Sequence, residues 1–185
     1  MARYDQWSFR FDLFKGKDEM QERRRELEGR GDHSLDLLKA KMQDSTGLDA
    51  VRAANGRDQG LTAQQIKDLD WKWQASGEEL PRRLTDGKCN EFLKLFQKSF
   101  EGFAEIFVTG RRGLNACQTN KTTDYYQADE GWWQETFAMG KARRVAPEFD
   151  ESAKVFALPL YVPVRGPTRG KIIGVAKAVV AEGRC

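Results

Sequence analysis

The residue types best suited to chemistry crowd into one short stretch, Thr122 to Gln134, TTDYYQADEGWWQ. Aromatic rings wall small-molecule pockets, and a few polar groups among them fix a ligand's orientation. Tyr126 is suited to stack on a ligand or hydrogen-bond it, and Asp124 to orient a donor or an amine. Trp132 and Trp133 would adjoin on a helix, where neighbouring side chains diverge by about 100°. One of them therefore belongs to the core and the other to a pocket wall. Asp150 and Phe156 are further candidates for the same site. Asp124, Asp129 and Glu130 could also act as an acid and base or as ligands of a hard cation. Asp129 has a structural alternative, since it stands where it could cap a helix carrying the tryptophans.

The remaining sequence argues against catalysis. It holds no Walker loop, no GxSxG elbow and no HExxH. The single histidine, His33, sits in a charged, glycine-rich stretch, which favours the surface over a nucleophile–base pair. No cofactor is expected. Cys89, Cys117 and Cys185 are too few and too scattered for a zinc site or a disulfide framework. A Cys89–Cys117 bridge is open to a chain in an oxidising compartment, as are free thiols elsewhere. The 31 basic and 28 acidic residues nearly cancel, so there is no basic face of the kind nucleic acid requires. No stretch approaches the roughly 20 apolar residues of a membrane span. The first residues also lack the apolar run of a signal peptide.

These side chains must be placed by two kinds of element, because composition changes near residue 90. DEMQERRREL, from Asp18 to Leu27, is a solvated helix by propensity and charge spacing. Gly29-Arg30-Gly31-Asp32 is expected to interrupt it, with Asp32 or Ser34 capping a new helix over 34–53. Thr62 and Gln65 have the spacing of a capping box for a helix over 62–74. Gly77 and Pro81 should end that region, and Asn90 should cap a helix over 90–100. Strands follow at 103–109, 114–119, 143–145, 155–162 and 171–180, with a short helix at 129–139. Pro159 demands an edge or a bulge, and Gly174 a bend or a close backbone approach. The order implies an α+β fold.

Within this series, FAEIFVT, the Gly110–Gly113 turn and TNKTTDYYQADEGWW resemble the core of Cache sensor domains. ALPLYVP and GKIIGVAKAVV resemble that family's closing strand pair, and AANGRDQGLTAQQIKDLDWKW resembles a helical segment of some extracytoplasmic sensors. The resemblance covers about residues 50–181. It implies N-terminal helices followed by a PAS-like antiparallel sheet of about five strands with one inserted short helix. It divides the chain into a helical region, 1–89, packing on a sensor core, 90–182. The implied role is a non-catalytic sensor domain on the periplasmic or extracellular face of a membrane receptor. Attachment to the membrane would come only through flanking segments outside this sequence. Amino-acid-sensing relatives carry an Arg two positions before the Trp-aromatic pair to grip the ligand carboxylate. Glu130 stands there here, and a carboxylate cannot reproduce that bidentate grip.

The expected partner is therefore a small molecule, neutral or cationic, because Lys121 is the only cation near the three carboxylates in sequence. A homodimer through the N-terminal helices is a further expectation. Two alternatives remain: a dimerising spacer that has lost its ligand, with the apolar stripe from Leu35 to Val51 as its interface, and a carboxylate-based enzyme.

Overall fold

The computed structural model describes residues 6–77, 79–150, 155–167 and 170–181, with the backbone alone at 6–16, 149–150 and 155. Helices α1 (Gln6–Lys41), α2 (Ser45–Asp58), α3 (Ala63–Ala75), α4 (Glu79–Leu84) and α5 (Gly87–Ser99) come first. Strands β1 (Phe103–Gly110) and β2 (Asn115–Gln118) follow, then α6 (Gly131–Met139). The chain closes with β3 (Arg143–Arg144), β4 (Glu148–Asp150), β5 (Val155–Arg165) and β6 (Ile172–Ala181). All pairings are antiparallel in one sheet ordered β2-β1-β6-β5-β3, with β4 also pairing β5. This is the α+β order expected, with the short helix between strands.

The helix boundaries correct several expectations. Gly29 to Asp32 does not break α1. A Cβ on Gly31 would lie 2.8 Å from a methyl of Leu158, so this glycine lets the helix lie close on β5. Asp32 pairs with Arg144 at 2.6 Å, and Ser34 is buried, so neither caps a helix. The break comes instead at residues 42–44, where the Asp44 side chain accepts from the N–H of Thr46 and starts α2. Pro81 ends nothing: it sits early in α4, where its missing N–H has no helical acceptor to lose. Asp86, not Asn90, caps α5 by accepting from the N–H of Cys89 at 2.8 Å. The Thr62–Gln65 capping box is present as expected.

Strand alternation divides the sheet into two faces. Ile106, Val108, Leu158, Leu160, Val162, Ala176, Ala178 and Val180 point to one side. There they form one core with Leu27, Leu38 and Met42 of the first helical stretch, Val51 of α2, and Leu93 and Phe96 of α5. The stripe from Leu35 to Val51 is thus largely spent on this chain's own sheet. A disulfide between Cys89 and Cys117, with Cα atoms 5.6 Å apart, ties α5 to β2. A smaller cluster of Ile66, Trp73, Leu114 and Tyr125 lies under α3.

The strand irregularities are explained by contacts. Gly174 meets the Thr109 carbonyl so closely that a Cβ would collide with it, which is the backbone approach expected. Pro159 pairs with Val179 on one side, and its carbonyl accepts from Val145 on the other. Its absent N–H therefore faces the gap between β3 and β4, where no strand residue needs it.

Candidate functional site

The second face of the sheet carries the charges. Cross-strand register sets Phe107 of β1, Lys177 of β6 and Tyr161 of β5 side by side in one row. Glu105 lies two residues before Phe107 and so projects from the same face. Trp132, from the first turn of α6, covers this row. It stacks on Tyr161 at 5.1 Å and 12° and meets the Phe107 ring edge-on at 5.9 Å. Lys177 Nζ stands 5.0 Å from the centre of the Trp132 ring. Both rings beside the lysine are thus held by one another.

A cleft of about 210 Å³ opens here, lined by Glu105, Phe107, Asp124, Glu130, Trp132 and Lys177 together with Thr122, Thr123 and Gln127. Burial raises the Glu105 carboxyl above its ordinary value, against the pull of Lys177. Burial likewise lowers Lys177, opposed by Glu105 and Glu130. Asp124 is raised by burial first, then by the neighbouring charges of Asp70 and Asp129, and Gln74 partly offsets this by donating to Asp124 Oδ1 at 2.9 Å.

The segment that brings Asp124 to the cleft is fastened from behind. Asp70 of α3 accepts from the N–H groups of Tyr125 and Tyr126 at 2.6 and 3.0 Å. Trp73 donates its indole N–H to the Thr122 carbonyl at 2.8 Å and stacks on Tyr125 at 4.9 Å. The Tyr125 hydroxyl accepts from Arg57, which also pairs with buried Asp58. Asn115 donates to the Thr122 hydroxyl at 2.6 Å.

The structure brings together only part of the expected set. Asp124 and Trp132 line the cleft. Trp133 points inward, donating to the Thr109 hydroxyl at 2.8 Å and stacking on Phe137 at 4.8 Å. That split between adjacent tryptophans is the one helical geometry requires. Tyr126 bridges to Leu114 and packs beside the α3 cluster, away from the cleft lining. Phe156 is buried in the core on the opposite face, and the Asp150 side chain lies outside the described residues. Asp129 does not cap α6: Glu130 occupies that position and no side chain closes it. Lys121 donates to the Ser76 carbonyl at 2.5 Å and does not line this cleft.

Glu105 and Lys177, with Phe107 beside them, lie outside the set expected from the sequence. The signal for the two charged residues is a single charge within an apolar strand, Glu105 in FAEIFV and Lys177 in GVAKAVV. Among the described residues no group of three or more His, Cys, Asp and Glu side chains could hold a metal ion. Nor is any helix among them long and apolar enough to cross a membrane.

No family model matches the chain, and no curated protein does. Solved structures do match. The sensor domain of the V. cholerae histidine kinase DctB superposes with a TM-score of 0.50 at 13% identity, over 88% of this chain and 55% of that one. The ligand-binding domain of the Pseudomonas aeruginosa PAO1 amino acid chemoreceptor PctC, in complex with GABA, gives 0.41 at 15% identity, over 85% and 61%. The sensory domain of the Campylobacter jejuni chemoreceptor Tlp3, with isoleucine bound, gives 0.39 at 17% identity, over 85% and 62%. The chain spans less than two thirds of each of these domains. The likeness to the histidine kinase domain is one of fold: helices followed by an antiparallel sheet with a short inserted helix, an α+β architecture.

Proposed function

We propose that this chain is a non-catalytic, small-molecule-binding sensor domain of a signal-transduction receptor. The observation that carries the reading is the cleft under Trp132, where half-buried Glu105 and Lys177 lie on a sheet face that otherwise has no reason to hold charge. Retaining ionisable groups at a desolvation cost is characteristic of functional sites. The other face of the same strands is wholly apolar.

The ligand is neutral or amine-bearing. Three carboxylates, Glu105, Asp124 and Glu130, face one cation, Lys177, so an incoming anion meets an excess of like charge. The Trp132 face favours a planar or cationic group by about 0.5–2 kcal/mol. The volume is below the roughly 300–1,000 Å³ usual for drug-sized ligands, so the occupant is small. Binding would signal only if the ligand favours one of two arrangements of the helices. α1 is the natural carrier, since it packs on β5 while its described residues 17–26 stand exposed. That exposed stretch is also where a homodimer would form, and residues 1–89 would then act as the helical layer on a sensor core of 90–182. The Cys89–Cys117 disulfide supports placement on the periplasmic or extracellular side of a membrane.

A thermal-shift screen of amines, purines and organic acids against the parent, Asp124→Ala and Trp132→Ala tests the proposal. Stabilisation by a small amine, lost in both variants, is the expected result. Stabilisation by simple carboxylates that survives both substitutions would move the site elsewhere. The small volume gives some weight to a second reading, a spacer that no longer binds a ligand, and a screen in which nothing shifts the melting temperature would favour it.

A further inference from the structure

A second cleft, of about 320 Å³, lies at the other end of the 119–124 connection, between α4, the start of α5 and the end of β2. Its charge is opposite to that of the first. Arg82, Lys94 and Lys121 line it, and no Asp or Glu does. Lys94 pairs with Glu91 at the surface and Lys121 with the Ser76 carbonyl, but Arg82 has neither an ion pair nor a hydrogen bond among the described residues.

The wall between these cations is built and rigid. The Thr85 hydroxyl donates to the Pro81 carbonyl at 2.8 Å and accepts from Asn90 at 2.9 Å. Asn90 in turn accepts from the backbone N–H of Gln118 at 2.8 Å. Asn90 and Gln118 directly follow the two bridged cysteines, so the disulfide fixes their separation. Within this wall Gln118 is 5% exposed, and its buried Oε1 has no hydrogen-bond partner. A buried amide atom left without a partner is destabilising, and native proteins rarely keep one without reason. The two ends of a glutamine amide exchange by rotation of its terminal torsion, so it can also present N–H groups to the cleft.

We infer that this cleft is a second binding site, for a small oxyanion such as a carboxylate or phosphate group, with Arg82 as its principal charged contact and Gln118 as its buried polar one. A planar guanidinium pairs with such groups through two parallel hydrogen bonds, which lysine cannot do. The site is separate from the cleft under Trp132, and the inference holds whether or not that cleft binds an amine.

The test is calorimetric titration of the full chain with sodium phosphate and with sodium acetate in low-salt buffer, with sodium chloride as control. Saturable binding of one or both anions is expected, and which of them binds identifies the anionic group. Arg82→Gln should weaken binding by about tenfold, the loss of one charge-assisted pair. Gln118→Met should weaken it severalfold, while Trp132→Ala should leave it unchanged. Arg82 is exposed, so its variant folds and decides the matter even if Gln118→Met does not. Failure of both anions to saturate at millimolar concentration overturns the inference. So does binding that chloride reproduces, or that folded Arg82→Gln retains in full.

Discussion

The two faces of this sheet are made by the same strands and obey different rules. Ile106, Ala178 and Leu160 form a row on the helix side, and Phe107, Lys177 and Tyr161 form the adjacent row on the other. The first row is fully buried under α1, α2 and α5. The second keeps a lysine between two aromatic rings and closes over it with one tryptophan. Aliphatic side chains stabilise a layer by leaving water, at about 25 cal/mol per Å². A partly desolvated lysine gains nothing comparable and loses hydration. The difference is that aliphatic burial is concentrated on the helix side, whereas the other face keeps ionisable groups among its rings.

The largest expected effect tests that division directly. Leu160→Ala should cost about 2–5 kcal/mol in urea denaturation, because it opens a cavity in a fully buried layer. Lys177→Met, of similar volume on the opposite face, should leave stability unchanged or raise it. Equal losses from the two would erase the comparison.

The covalent tie also belongs to the helix side. Cys89 and Cys117 are 28 residues apart, and the chain-entropy relation gives about 3–4 kcal/mol for closing a loop of that length. Cys89→Ser with Cys117→Ser should lower denaturation stability by that amount. It should also weaken anion binding at the Arg82 cleft more than amine binding under Trp132, since Asn90 and Gln118 flank the bridge. An unchanged urea midpoint would show that the disulfide does not hold α5 on the sheet.

A smaller effect is expected where the cleft is fastened. Asp70→Ala removes the acceptor of two backbone N–H groups, those of Tyr125 and Tyr126, and should cost about 1–3 kcal/mol. Amine binding should fall with it, because Asp124 is carried by that segment, whereas Asp68→Ala on the exposed side of α3 should do neither. If hydrogen exchange at Tyr125 and Tyr126 is no faster in Asp70→Ala, the fastening lies elsewhere.

Local spacing carries much of the fold, whereas caps and site residues depend on contacts that only the tertiary structure supplies. The Thr62–Gln65 box, the strands other than β4, which was not expected, and the split between Trp132 and Trp133 follow from spacing within a few residues. Gly31 misled because a glycine that breaks a helix and one that admits a neighbouring strand look alike until Leu158 is seen against it. Asn90 misled for a related reason: it has the chemistry of a cap but spends it on Thr85 and Gln118, which the sheet brings to it. At the site, the aromatic block was legible as a cluster, yet Tyr126 and Phe156 are directed by the α3 cluster and the core. Lys177 lies 45 residues beyond Trp132, and only the β1–β6–β5 register places it under that ring. The preference for a neutral or cationic ligand, drawn with Lys121 as the only nearby cation, could not include it.

The smallest effect, and the most specific to the cleft face, is its dependence on pH. Burial raises Glu105 above its ordinary value of 4.5, so the folded chain holds that proton more tightly than the unfolded one. Stability from this group is present below 4.5 and declines as pH rises through the raised value. Burial lowers Lys177 from 10.5, so here the unfolded chain binds the proton more tightly. Stability therefore rises with pH from the lowered value up to 10.5. Both groups are partly exposed, and solvent screening limits each to a shift of about 1–2 °C in a chain of this size. Glu105→Gln should flatten the acid-side decline in melting temperature, and Lys177→Met the alkaline rise. Because Lys177 holds the Glu105 value down, Lys177→Met should also carry the acid-side decline to higher pH. Parent and Lys177→Met profiles that superimpose on both limbs would mean that the lysine is hydrated and does not sit under Trp132.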